Sequence, residues 1–230
     1  MTELLRGAGA IVIYFLICAT TALVAHALLP IPSEVFRKIL HLILLGSLAV
    51  WVLVFSNWWL SALSAVIFAL AVYPLLSLAE HLKGYSALLT ERKGGEIKHS
   101  LLVVFTMYAL VAAVCWGWLD DKLLALASIY AWGLGDAAAA LIGKRFGKHH
   151  IRLPLADPKK TWEGSAAMAS TAFVTGLIAL MVVSPLSFPH CLACAAIAAP
   201  VAAYVELITH GGNDTVTVPV AVALCLLLIA

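Results

Sequence analysis

Charge is what this chain has least of. Only 11% of its 230 residues are Asp, Glu, Lys or Arg, against 63% hydrophobic residues and a mean hydropathy of +1.04. That balance excludes an ordinary soluble globular protein. A membrane-crossing helix needs about 20 mostly apolar residues, so the length holds at most about eight spans with short connections and no separate soluble domain. Catalytic signatures are missing as well. Gly143-Lys144-Arg145 and Gly147-Lys148-His149 lack the spacing and the Ser or Thr of a Walker A loop. No H-E-x-x-H and no G-x-S-x-G occurs, so neither a zincin-type protease nor an α/β-hydrolase is supported. Internal repeats, low-complexity tracts and flexible linkers are absent too. The five cysteines (18, 115, 191, 194 and 225) all sit in apolar surroundings, and Cys191-x-x-Cys194 has no second ligand pair near it. They read as small apolar helix residues rather than as a zinc or redox site.

What is present is a run of apolar segments at about 8–29, 39–56, 58–79, 100–118, 122–142, 165–184, 189–209 and 215–230. The first is too long for a signal-peptide core and lacks a cleavage site, so it reads as a retained span. The expectation is one all-α, polytopic membrane bundle over 1–230 with seven or eight spans, the last segment being short for a full crossing. The breaks 30–38, 80–99 and 143–164 carry two, four and six Lys or Arg, twelve of the chain's fourteen. Arg6 and Lys122 lie on the other face if all eight segments span. By the positive-inside rule the basic face is cytoplasmic and the amino terminus outside. The expected location is therefore the cell membrane, with the chemistry at its cytoplasmic face and with no nucleic-acid partner. Oligomeric state is open.

Nearly every residue capable of chemistry lies on that basic side. Asp136 follows Trp132-Gly133-Leu134-Gly135, eight residues before Lys144, which puts it roughly 12 Å into the apolar layer. A carboxylate there costs on the order of 2.5–3.5 kcal/mol on insertion scales, and such acids mark functional sites facing the bundle interior. A structural Asp satisfied by neighbouring helices is the alternative. Gly143 and Gly147 by themselves read as a helix-packing face. In Asp157-Pro158-Lys159-Lys160-Thr161-Trp162-Glu163-Gly164-Ser165, Thr161 is a candidate N-cap. The free N–H groups of a helix start, with two lysines before it, suit phosphate. Glu163 suits phosphate only with a cation between them, which points to Mg²⁺. Ordinary positive-inside flanking explains the lysines but not Glu163. Arg37, Lys38 and His41 share one helix face, fit to hold phosphate and assist proton transfer; topology signals and a packing histidine are the plainer reading. In the loop from Glu91 to Ser100, the Gly94-Gly95 pair permits close backbone approach, and Glu96 is a further possible metal ligand. A solvated surface loop would look the same. Glu206 and His210, one turn apart, either satisfy each other or contact metal or a substrate hydroxyl.

At these residues the chain resembles the membrane family of CTP-dependent polyprenol and diacylglycerol kinases, which includes dolichol, phytol and farnesol kinases and is related to phosphatidate cytidylyltransferases. The shared motifs are Arg37-Lys38-x-x-His41, Gly94 with Glu96, and Gly135-Asp136-Ala137 with Gly143 and Gly147. They continue with Lys159-Lys160-Thr161-x-Glu163-Gly164-Ser165 and with Asp214 followed by Thr217-Val218-Pro219. The short, compact chain looks most like the phytol kinase branch. Thr215 departs from the Asn expected after the Asp, and His210-Gly211-Gly212 is similar to the cytidylyltransferases.

The resemblance implies transfer of the γ-phosphoryl group of CTP, or another nucleoside triphosphate, to the hydroxyl of a lipid alcohol in the bilayer. That alcohol would be phytol, farnesol, a polyprenol or diacylglycerol, its tail between helices. Asp136 and Glu163, with Glu96 or Asp214, would bind Mg²⁺. Arg37, Lys38, Lys144, Lys159, Lys160, Thr161 and Ser165 would hold phosphates. Asp136, Glu206 or His41 would accept the hydroxyl proton. A CDP-lipid synthase is the second reading. A transporter is the third, disfavoured because its polar site would lie near the midplane between repeats.

Overall fold

A computed structural model of the chain describes residues 2–91, 93–183 and 186–229. Arg92, one of the four basic residues of the 80–99 break, lies outside them. Among the described residues the architecture is all-helical, with one isolated antiparallel bridge between His150 and Thr161. The helices are α1 (Thr2–Leu28), α2 (Ser33–Val54), α3 (Trp58–Ala79), the single turn α4 (Tyr85–Leu88) and α5 (Glu96–Val111). They continue with α6 (Lys122–Phe146), α7 (Trp162–Val183), α8 (Phe188–Ile208) and α9 (Asp214–Ile229). α5 runs on into a π-helical stretch, Ala112–Trp118. Counting that extension, seven helices among the described residues are long and apolar enough to cross a membrane, and α9 is a shorter apolar helix. The chain is a multi-pass membrane helical bundle.

Most helices reach past their apolar runs into polar flanks. α2 starts at Ser33 and α5 at Glu96, each before the apolar segment it carries. Hydropathy marks the lipid layer, whereas helical hydrogen bonding continues wherever side chains meet water. Apolar residues also cover the outside: Leu16, Leu53, Leu70 and Val182 are each more than 60% exposed. Such a surface would aggregate in water, but lipid tails are as apolar as leucine.

The chain forms two compact units, residues 1–113 and 114–230. In the first, α1 packs on α2 and α3 on α5, with α2 also reaching α3 and α5. Trp51 anchors its aromatic core, its ring centroid 5.6 Å from Phe55, 6.0 Å from Phe68 and 6.2 Å from Phe105. A pair of buried hydroxyls there is satisfied locally, while Trp51 Nε1 is buried with no hydrogen-bond partner. Ser61 Oγ donates to the Trp51 carbonyl at 3.1 Å and so accepts from the Tyr108 hydroxyl at 2.6 Å.

In the second unit α6 packs on α7 and α9, while α8 packs on α7 and α9, closing a ring of four helices. Asp121 starts α6 by accepting the Leu123 and Leu124 N–H groups, both at 2.9 Å. The connection from Gly147 to Thr161 folds back on itself rather than looping into solvent. Trp162 N–H donates to His149 O at 3.0 Å, and Ile151 N–H to Lys160 O at 3.1 Å. Asp157 N–H donates to Leu207 O on α8 at 3.1 Å. Beneath it Ile151, Ala156 and Leu207 form a small apolar cluster.

Candidate functional site

The site forms where α6 and α7 cross. Gly143 and Gly164 face each other there: a Cβ on Gly143 would lie 3.5 Å from Gly164 Cα, and a Cβ on Gly164 3.2 Å from Ala139 O. Small residues let the two backbones approach this closely. The crossing brings the amino terminus of α7 against the basic, carboxyl-terminal end of α6. Thr161 caps α7 as its sequence position implies, its hydroxyl accepting the Gly164 N–H at 3.2 Å.

At that junction lies a cavity of about 150 Å³, lined by Asp136, Gly143 and Lys144 of α6, Lys159 and Lys160 of the connection, Thr161, Gly164 and Ser165 at the α7 start, and Glu206 of α8. Asp136, Glu206 and Asp214 each offer a carboxylate oxygen, and these oxygens lie within 4.8 Å of one another. Glu206 is buried, the other two half-buried. Lys160 Nζ donates to Glu206 Oε1, while Glu206 Oε2 and Ser165 Oγ are buried with no hydrogen-bond partner. Buried polar atoms ordinarily have partners, so these two invite a ligand. Three converging carboxylates form a hard, all-oxygen donor set, which suits Mg²⁺ better than a soft transition metal. The residues present therefore fit the cation.

The other residues singled out in the sequence fall into two groups. Glu163 is half-buried, and its carboxylate accepts from Lys148 N–H at 3.2 Å and His149 N–H at 3.4 Å, with His149 Nδ1 at 2.7 Å. It ties the start of the 147–161 connection to the first turn of α7. Arg37, Lys38, His41 and Glu96 belong to the first unit, where they line one cavity. Arg37 is held there between Glu34 at 3.2 Å and Glu96 at 3.4 Å.

Two features of the site were not readable from the sequence. One is the pairing of Lys160 with Glu206, 46 positions apart. The other is that Glu206 joins Asp136 and Asp214, the three acids meeting across three helices. A hint lay in the placement of all three acids near the same face, but distance along the chain carries no contact information. Cys191 and Cys194 are both buried in α8.

Comparison with known proteins adds an independent line. The family model described as "Cytidylyltransferase family" matches residues 5–209. The chain is 30% identical over 246 aligned positions to the "Probable phytol kinase, chloroplastic" of Triticum aestivum, covering 96% of this chain and 77% of that protein. It is 29% identical over 204 positions to the "Phytol kinase" of Synechocystis sp., covering 84% of this chain and 78% of that protein. No solved structure gives a significant match.

Proposed function

We propose that this chain, which belongs to the cytidylyltransferase family, is a lipid-alcohol kinase. It moves the γ-phosphoryl group of CTP to the hydroxyl of an isoprenoid alcohol such as phytol. The observation that carries this reading is the meeting of three carboxylates with Lys144, Lys159, Lys160 and the start of α7 around one cavity. The names of the phytol kinase relatives favour a kinase acting on an isoprenoid alcohol, and the family name favours a cytidine nucleotide.

Phosphoryl transfer asks little covalent chemistry of a protein and much positioning and charge neutralisation. Asp136, Glu206 and Asp214 would hold Mg²⁺, which when bound offsets the charge of the polyphosphate. Lys144 and Lys159 balance the remaining charge, with Ser165 and the free N–H groups of α7 as donors to phosphate oxygens. Lys160 orients Glu206 through its hydrogen bond to the carboxylate. In the transfer the alcohol oxygen bonds to the γ-phosphorus, the bond from that phosphorus to the β–γ bridging oxygen breaks, and CDP leaves. The hydroxyl proton passes to Asp136 or Glu206 in this cavity; His41, in the first unit, is the third candidate. Glu163 positions the 147–161 connection that carries the lysines. The basic breaks support a site at the cytoplasmic face.

The experiment is purified protein with γ-labelled CTP and, in separate reactions, phytol or the lipid phosphate phosphatidate. Label in the lipid supports the kinase, whereas label in released pyrophosphate means a CDP-lipid synthase, the reading the family description keeps open. Screening CTP, ATP, GTP and UTP against phytol, farnesol, a polyprenol and diacylglycerol identifies donor and acceptor by product mass.

A further inference from the structure

A second, larger cavity lies wholly inside the first unit. It measures about 610 Å³ and opens between α1, α2, α3 and the start of α5. Sites that enclose small ligands run from roughly 300 to 1,000 Å³, so this one has room for a C20 chain. Its walls are almost entirely apolar, with Phe15 and Phe68 stacked at 5.4 Å between centroids among them. Along α1 the lining runs from Val12 to Leu23, about 16 Å at the helical rise. One end differs. Arg37, Lys38 and His41 from the first turns of α2, with Glu91, Glu96 and Ser100 around the start of α5, make it polar.

Among the described residues lining that end, the formal charges balance. Two cations, Arg37 and Lys38, face two anions, Glu91 and Glu96. Arg37 is moreover engaged by Glu96 at 3.4 Å and by Glu34 at 3.2 Å. An anionic lipid head would have to displace those carboxylates, whereas an uncharged hydroxyl needs only hydrogen-bonding groups. A long apolar chamber with a polar but electrically balanced end fits a neutral, single-chain amphiphile better than a phospholipid.

We propose that this cavity binds the isoprenoid alcohol itself, tail among α1, α2 and α3, hydroxyl at the His41 and Ser100 end. The inference rests on the reading that the acceptor is an isoprenoid alcohol. It assigns Arg37 and Lys38 to a neutral head rather than to phosphate.

The test uses the full chain in lipid nanodiscs, without nucleotide, and a diazirine-bearing C20 isoprenoid alcohol as the probe. Photolysis followed by peptide mass spectrometry should place adducts on α1, α2 and α3. Excess phytol should reduce them about tenfold, while phytyl phosphate and phosphatidylglycerol should not. Ala19→Trp and Val72→Trp, which fill the chamber from α1 and from α3, should each cut labelling to a similar degree. Adducts confined to α6–α9, equal competition by phosphatidylglycerol or phytyl phosphate, or undiminished labelling of correctly folded filling variants would each overturn the proposal. Mapping on the unmodified chain keeps the test valid if a filling variant misfolds. Because labelling needs no nucleotide, release of pyrophosphate from CTP would defeat the kinase reading and leave this result standing.

Discussion

Lys160 places its ammonium on the carboxylate of Glu206, joining the 147–161 connection to α8 at the floor of the site. Glu206 is 2% exposed and Lys160 23%. A buried carboxylate without its cation is costly, since desolvation is then uncompensated; losing one partner of such a pair costs about 3 kcal/mol or more. Lys160→Ala should therefore lower the midpoint of thermal unfolding in detergent. Adding Glu206→Gln to it should recover part of the loss, because the orphaned charge is gone. A double variant less stable than Lys160→Ala alone would show the pair is not what stabilises this floor.

The convergence of Asp136, Glu206 and Asp214 makes a second prediction. Asp136→Asn and Asp214→Asn should each weaken binding of Mn²⁺, used as a spectroscopic substitute for Mg²⁺ and read by electron paramagnetic resonance, by about tenfold or more. Asp136→Asn should abolish turnover while the protein still inserts and folds. Glu163→Gln should leave Mn²⁺ affinity near the native value, since Glu163 is engaged by Lys148 and His149. Loss of Mn²⁺ binding in that variant would return Glu163 to the metal set.

Two glycines of the α6 motif should respond differently to a methyl group. At Gly147 an added Cβ would meet Gly143 O at 2.2 Å and Thr161 at 2.8 Å, backbone and capping residue that cannot move away. Gly147→Ala should cost about 1–3 kcal/mol, as overpacking does. At Gly135 the Cβ would meet Met168 Sδ at 2.4 Å, the far end of a flexible side chain that can swing aside. Gly135→Ala should cost clearly less in the same unfolding measurement.

Glu163 gives the fourth. Its carboxylate holds the Lys148 and His149 N–H groups at 3.2 and 3.4 Å. Glu163→Ala should speed hydrogen exchange at those two amides by about tenfold, with little change in the α6 core. A lower apparent affinity for CTP should accompany it, because the freed connection carries Lys159 and Lys160. Unchanged exchange would mean the bridge and the Thr161 cap hold the connection unaided.

Much of this architecture was legible in advance because a membrane imposes a one-dimensional rule. Apolar run length maps to helix, so the segments at about 58–79 and 189–209 became Trp58–Ala79 and Phe188–Ile208 almost unchanged. The boundaries that moved, such as the α2 start at Ser33 and the α5 start at Glu96, lie in the polar flanks of the apolar runs. The π-helical stretch Ala112–Trp118 left no trace in hydropathy, since it changes hydrogen-bond register and not composition. Thr161 was recognisable as a cap because capping is local, acting over three residues.

By itself, then, the sequence determined a helical membrane bundle, a set of acids that burial alone would penalise, and a capped basic helix start. Only the tertiary structure decided which acids meet. It joined Asp136 with Glu206 and Asp214, turned Glu163 toward the connection before it, and set Arg37 between two carboxylates in the first unit. The reason is physical: helix caps and apolar runs are governed by neighbours in the chain, whereas converging carboxylates and ion pairs are governed by which helix faces pack together.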